Sequence, residues 1–281
     1  MAEAIAALIA EGTQRLEDQS EHPSLEAEVL LSHVTGKSRT YFRAFAETEV
    51  PESEARLFRS LIEQRRSGHP IAYLTGEREF WSLRFEVSPD VLIPRPETEL
   101  LVELALEWIR TLSTPKVLDL GTGSGAIPIS IAKERPDAHL TAIDLSANAL
   151  TLAQKNAIRL GAPHIRFLLG DWLNALPDAF QFDLIVSNPP YIPDQDKHLS
   201  SGDLRYEPPS ALASGPDGLD AIRTIAREAR RFIKPGGGLV LEHGFDQAPA
   251  VQKILAGLGY RAIETRKDLQ RHPRVTMARY G

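Results

Sequence analysis

A chain of 281 residues, 42% hydrophobic and 25% charged, has the composition of a folded globular protein and is long enough for two compact domains. Its 32 Lys and Arg against 38 Asp and Glu give a net charge of -6, so no general basic field gathers nucleic acid, and direct nucleic-acid binding is not expected. Zero cysteines exclude disulfides and thiolate metal sites, no metal is expected, and without a long apolar run or a secretory leader the chain reads as cytoplasmic, with no membrane partner.

Residues 1–76 are expected to form a helical bundle. An Ala-rich helix runs from Ala2 to about Asp18. Ser24 is placed to cap a second helix carrying Leu25, Val29, Leu30 and Val34 and ending at Gly36; Ser38 opens a third, and Pro51 starts a fourth bearing Leu57, Leu61 and Ile62, closed by Gly68. Eight basic against twelve acidic residues up to Gly76 make this bundle unsuited to phosphates but open to a protein partner. Residues 77–98 form the connector. Phe80, Trp81, Leu83, Phe85 and Val87 mix aromatic and β-branched residues in the partly alternating order of a β-hairpin. Ile93-Pro94-Arg95-Pro96-Glu97-Thr98 is then stiffened by two prolines before an amphipathic helix with Leu100, Leu101, Leu104 and Trp108.

The remainder, 99–281, alternates strand and helix. Strands are expected at Lys116 to Leu120, His139 to Asp144, Ile165 to Leu169, Phe182 to Ser187, Gly238 to Glu242, Tyr260 to Thr265 and Val275 to Tyr280. Helices fall between them, one capped by Ser146, others over Leu219 to Phe232 and Ala248 to Leu258. This is an α/β fold around a mostly parallel sheet. A long loop at 193–216, rich in Asp, Ser and Pro, is either a substrate-facing lid or a surface excursion.

Asp119-Leu120-Gly121-Thr122-Gly123-Ser124-Gly125 joins a strand to a helix. Missing Cβ atoms there let the backbone approach a ligand, and the helix start offers free N–H groups. Gly121, Gly123 and Ala126 also satisfy the G-x-G-x-x-G/A dinucleotide fingerprint, and Asp144 follows at the spacing of a ribose-binding acid, so the cofactor stays open on these residues alone. Asp144 could equally serve as a helix cap beside Ser146. Asp171-Trp172 follows the next strand, where the indole offers an apolar face to a purine and the carboxylate accepts from an exocyclic amine.

The most specific signal is Asn188-Pro189-Pro190-Tyr191 at the end of the fourth strand. Two prolines fix φ and remove both N–H groups, leaving rigid carbonyl acceptors; Asn188 adds a side-chain carbonyl. A planar NH2 can then donate to Asn188 and to the Pro189 carbonyl, with the Tyr191 ring over its face. Amide nitrogens are poor nucleophiles because their lone pair is delocalised. Acceptors that hold both hydrogens aim lone-pair density at an electrophilic methyl group and stabilise the positive charge that develops.

Taken together, Asp119 to Gly125, Asp144, Asp171-Trp172 and Asn188 to Tyr191 resemble the Rossmann-like class I S-adenosylmethionine-dependent methyltransferases that modify amide or amino nitrogens. Pro70-Ile71-Ala72-Tyr73-Leu74-Thr75-Gly76, the hairpin around Phe80-Trp81, Ile93 to Thr98 and Tyr206-Glu207-Pro208 narrow this to a resemblance, nearly end to end, to the bacterial release factor glutamine methyltransferase (PrmC/HemK) family. The resemblance implies a seven-stranded methyltransferase sheet behind a small helical domain that helps hold a protein substrate. It implies transfer from S-adenosylmethionine, leaving S-adenosylhomocysteine, to N5 of the glutamine in the Gly-Gly-Gln motif of class I peptide chain release factors. The cofactor set it implies is Asp119, Gly121, Thr122, Gly123, Ser124, Gly125, Asp144, Asp171, Trp172 and Asn188. Asn188, Pro189 and Tyr191 take the catalytic role, and Pro190 joins them against the substrate amide. Two rivals share the amide-holding logic: a ribosomal-protein glutamine methyltransferase, and a nucleic-acid adenine-N6 or guanine-N2 methyltransferase, the latter disfavoured by the missing basic tract. A nicotinamide-dependent oxidoreductase fits the glycine loop but lacks a proton donor at the reaction centre.

Overall fold

The structure is a computed structural model that describes residues 3–281. It divides into two compact units, Met1–Glu77 and Arg78–Gly281. In the first, β1 (Glu3–Ala4) leads into α1 (Ile5–Leu16); the start of the expected helix at Ala2 lies outside the described residues. Then follow α2 (Pro23–Thr35), α3 (Arg39–Ala44), β2 (Glu49–Val50), which pairs antiparallel with β1, α4 (Glu52–Arg66) and α5 (Ile71–Thr75). Ser38 caps α3 by accepting from the Tyr41 N–H, and Gly36 closes α2 at φ 65°. Ser24 does not cap α2. Pro23, with no N–H to satisfy and a fixed φ, occupies the first helical position, so the helix starts two residues earlier with His22 before it. Leu8, Leu16, Leu30, Leu31, Phe58 and Ile62 fill the core of this unit.

Next in the chain come β3 (Glu77–Phe80) and β4 (Leu83–Glu86), a hairpin whose turn residues Trp81 and Ser82 both take positive φ, 52° and 57°. Such a turn favours Asn-Gly. Here side-chain anchoring offsets the strain: Trp81 donates its backbone N–H to Glu99 at 2.7 Å and its indole N–H to Glu134 at 3.0 Å. A 3-10 turn at Pro96–Thr98 enters α6 (Glu99–Ile109). Then come β5 (Lys116–Leu120), α7 (Ala126–Glu134), β6 (His139–Asp144), α8 (Ala147–Arg159), β7 (Arg166–Leu169), β8 (Phe182–Ser187), α9 (Asp220–Ala229), β9 (Ile233–Glu242), α10 (Ala248–Gly257), β10 (Arg261–Lys267) and β11 (Pro273–Arg279).

The seven strands lie in the order β10-β11-β9-β8-β5-β6-β7. The run from β9 to β7 is parallel, and β11 is antiparallel to both its neighbours. Apolar layers cover both faces, one holding Leu101, Ile109, Ile129 and Ile131 and the other Ile222, Ile225, Val251 and Leu255. Double burial is why β5 and β8 read as near-continuous apolar runs. β9 begins five positions ahead of the expected Gly238, because the Pro235-Gly236-Gly237 stretch is absorbed as an irregularity in its pairing with β8. The order reverses between β5 and β8, and an open α/β sheet places its ligand cleft beyond the strand ends at such a point. Both the glycine loop and the Asn-Pro-Pro-Tyr turn leave the sheet there.

Asn156, fully buried on α8, ties the hairpin to that point. It accepts from the Glu86 N–H at 2.8 Å and donates to the carbonyls of Glu86 and Ser124, each at 2.9 Å. Replacing it with alanine strands three backbone polar groups, each costing about 1–3 kcal/mol if left unmade. Thermal unfolding of Asn156→Ala should therefore show a melting temperature lower by roughly 5–10 °C, since 1 kcal/mol moves a domain of this size by ~2–4 °C. An unshifted melting curve would show that this tie contributes nothing.

Candidate active site

A cleft of about 390 Å³ opens over the strand ends. Gly121, Thr122, Gly123 and Ser124 form its floor. The loop is pinned from β6: the N–H groups of Gly121 and Thr122 donate to the Ile143 carbonyl, and that of Gly123 donates to Asp144 Oδ2 at 2.8 Å. Gly125 stands at φ 82°, and a Cβ there would lie 2.9 Å from the Ile129 side chain and 3.2 Å from that of Ala153. Only glycine lets α7 begin at this point.

Asp144 is more than a helix cap. Its Oδ1 accepts from the Ser146 N–H at 2.9 Å and its Oδ2 from Gly123, while Ser146 itself caps α8 by accepting from the Ala149 N–H. Two anchored oxygens with lone pairs to spare line the cleft beside Leu145, a residue 67% exposed. Opposite stands Trp172, held at φ 48° with its ring 3.6 Å from where a Gly121 Cβ would sit. A non-glycine residue in this region costs roughly 1–2 kcal/mol, strain of the kind that clusters at ligand sites. Asp171, exposed and lining the cleft, makes no side-chain cap bond.

Asp119 lies below the glycine loop, completely buried, and neither carboxylate oxygen finds a hydrogen-bond partner. Burial, opposed by the Thr122 hydroxyl and reinforced by the charge of Asp144, pushes its carboxyl up to about 7. That value stands above the unfolded ~3.9, so ionising Asp119 opposes folding: the penalty is absent near pH 4, grows as pH rises and is complete above pH 7. Asp119→Asn should therefore melt higher than the parent at pH 8 and match it near pH 4. A lower melting temperature at pH 8 would contradict this.

Asn188 lines the cleft at the end of β8. Its Nδ2 donates to Thr98 Oγ1 at 3.1 Å, and its Oδ1 is buried with no partner. Pro190 lines the cleft, whereas Pro189 is buried behind it. The Tyr191 ring does not line the cleft: its hydroxyl turns to Glu242 Oε1 at 3.5 Å, and burial pushes that hydroxyl's pKa upward. Gln247 donates to the Tyr191 carbonyl at 2.9 Å and fixes the path of the turn.

Residues 7–76 match the family model described as the PrmC N-terminal domain, and 113–267 match a methyltransferase domain. The release factor glutamine methyltransferase of Salmonella typhimurium is 47% identical over 270 residues, spanning 96% of both chains, and that of Vibrio cholerae is 47% identical over 275, spanning 98% of this chain and 96% of its own. The chain belongs to the release factor glutamine methyltransferase family. Among solved structures, the hMettl16 catalytic domain in complex with the MAT2A 3'UTR hairpin 1 aligns over 89% of this chain and 90% of its own, with a TM-score of 0.60 and 15% identity, a likeness of fold alone. As in other class I methyltransferase domains, the cofactor is S-adenosylmethionine.

Several residues of this family member's site were not among the candidates the sequence offered. Thr98, Asn156, Glu242 and Gln247 reach it only through tertiary contacts. Arg95 and Glu207, distant in sequence, form an ion pair in which Arg95 Nη2 donates to both carboxylate oxygens, at 2.7 and 2.8 Å, with the Glu207 side chain fully buried. Burial raises the Glu207 pKa and Arg95 opposes the rise. The pair ties the 193–216 loop to the segment before α6. The loop is also closed at its base, where Ile192 bridges Ala213 and Asp194 accepts from the Gly215 N–H. Pro208, Ser210 and Ala211 thereby become part of the cleft wall.

Proposed function

We propose that the protein transfers a methyl group from S-adenosylmethionine to the N5 side-chain amide nitrogen of the glutamine in the Gly-Gly-Gln motif of class I peptide chain release factors, and that it does so in the cytoplasm. The observation that carries this reading is the unpartnered, buried Oδ1 of Asn188 at the cleft wall. A buried acceptor left unmade costs about 1–3 kcal/mol, and a substrate N–H that donates to it removes that cost.

The residues present fit the cofactor. The Gly121 to Gly125 cradle approaches its methionine end, with Thr122 and Ser124 in the loop, and the partnerless Asp119 carboxylate supplies negative charge beneath a cationic group. Asp144 would accept from the ribose hydroxyls, Leu145 and Trp172 would offer apolar surface to the adenine ring, and Asp171 would accept from its amine; all four line the cleft. Bound S-adenosylmethionine supplies an electrophilic methyl group. The chain's own part is to hold the amide. Asn188 Oδ1 and the Pro189 carbonyl take its two hydrogens, Asn188 also borders the cofactor, and Pro190 and Tyr191 hold the turn in shape. These acceptors strengthen as the nitrogen gains positive charge, so they favour the transition state over the ground state.

The 1–76 unit helps to hold the large protein substrate, in keeping with its acidic, phosphate-averse surface, the hairpin and proline-stiffened segment over 77–98 connect it, and 99–281 carries the transfer. Incubating the purified protein with labelled S-adenosylmethionine and an unmethylated release factor, its Gln-to-Ala variant, a ribosomal-protein mixture and duplex DNA tests the substrate. Label should enter the release factor and not its variant; label entering only ribosomal protein or DNA would overturn the reading in favour of that rival.

A further inference from the structure

A peptide whose glutamine side chain enters the cleft brings main-chain carbonyls with it, and these need donors. The Asn-Pro-Pro-Tyr turn is poor in them, because its two prolines carry no N–H. Among the described residues that line the cleft, the charged ones are Asp90, Asp144 and Asp171, all acceptors, and a single cation, Arg95. Arg95 shares the segment before α6 with Thr98, which accepts from Asn188 Nδ2 at 3.1 Å, so it belongs to the wall that carries the amide-holding group.

Arg95 Nη2 donates to Glu207 Oε1 at 2.7 Å and Oε2 at 2.8 Å, and among the described residues nothing takes the hydrogens on Nε and Nη1. Glu207 is a firm anchor. Its side chain is wholly buried, whereas that of Arg95 keeps 29% of its surface exposed. A buried carboxylate stripped of its cation is strongly destabilising, so Glu207 holds the guanidinium in place, and the entropy of fixing that long side chain is lost in folding, before substrate arrives. We infer that Arg95 is a substrate-binding residue whose uncommitted N–H groups donate to main-chain carbonyls beside the modified glutamine, with Glu207 as the residue that positions it. The inference rests on the protein-glutamine reading of the cleft. Carbonyls beside the reacting amide change little in charge during transfer, so this contact acts on affinity for the substrate protein and leaves the chemical step alone. Lysine cannot replace the arginine, because an ammonium drawn to Glu207 is a point charge without the planar fork that serves two partners at once.

The test compares the full-length parent with Arg95→Lys and with the double variant Arg95→Met, Glu207→Gln, which leaves no carboxylate stranded. It reads single-turnover methylation against release factor concentration, S-adenosylhomocysteine binding, and the Arg95 Nε–H resonance of the parent in its S-adenosylhomocysteine complex as release factor is added. Both variants should half-saturate at roughly 10- to 100-fold more release factor, Arg95→Lys at the lower end. Their saturating rates should stay within about 3-fold and their S-adenosylhomocysteine affinities within about 2-fold of the parent. The Arg95 resonance of the parent should shift as release factor binds. Arg95→Lys keeps a cation against Glu207, so a purely structural ion pair predicts parental half-saturation for it. That result, an unshifted Arg95 resonance, or an S-adenosylhomocysteine affinity that falls in step with the affinity for release factor would overturn the inference, the last by placing the guanidinium on the cofactor. A parent that leaves the release factor unlabelled would instead overturn the substrate reading, and the same variants would then be read on whichever ribosomal protein takes label; a parent that labels no protein overturns both.

Discussion

Replacing Asn188 with alanine is expected to lower the single-turnover rate of methyl transfer by roughly 10²- to 10³-fold, the loss typical of removing one preorganised polar group at a site of developing charge. Cofactor affinity should fall far less, because the glycine loop and Asp144 remain in place. Stability should hold or rise, since the substitution deletes an acceptor that is buried and unpartnered. That combination separates a catalytic loss from misfolding: a rate collapse with an intact melting curve and near-normal S-adenosylhomocysteine titration. If the rate fell less than about 3-fold, the Pro189 carbonyl alone would suffice to hold the amide, and Asn188 would lose its assigned part.

The second large effect is expected at Asp144. Calorimetric titration of Asp144→Ala should show S-adenosylmethionine binding weakened by roughly 100-fold, about 2.8 kcal/mol at 1.4 kcal/mol per tenfold. Two losses combine. The ribose hydroxyls lose a charged acceptor, and the N–H groups of Gly123 and Ser146 lose the oxygens that hold the loop and the start of α8 in place. Asp144→Asn keeps one acceptor oxygen and should fall between. An Asp144→Ala protein that bound the cofactor at parental strength would move the ribose away from the end of β6.

How far these features could be read in advance depends on where their information lies. The bounds of β5, β6 and β8 follow from the residues, because strands buried on both faces must be apolar along their whole length. The caps at Ser38 and Ser146 were legible because a cap is a local bond. The helix at Ile71–Thr75 was not, since five residues before a left-handed Gly76 leave no periodicity to detect. Nor did composition distinguish a lid from an excursion at 193–216. The answer lay in an ion pair between Arg95 and Glu207, residues far apart in the chain. Glu242 carried one faint signal, a lone carboxylate at the end of the apolar run Leu239 to Leu241, but its partner Tyr191 comes from outside that strand. The positive φ of Trp172 has no counterpart in composition at all.

The most direct test of the central claim is a single turnover of the protein with S-adenosylmethionine and an unmethylated release factor, followed by mass analysis of the peptide that carries Gly-Gly-Gln. That peptide should gain one methylene unit, localised by fragmentation to the glutamine side chain and absent with Asn188→Ala. A methyl group on any other residue of the release factor, or on the glutamine at undiminished rate with Asn188→Ala, would contradict it.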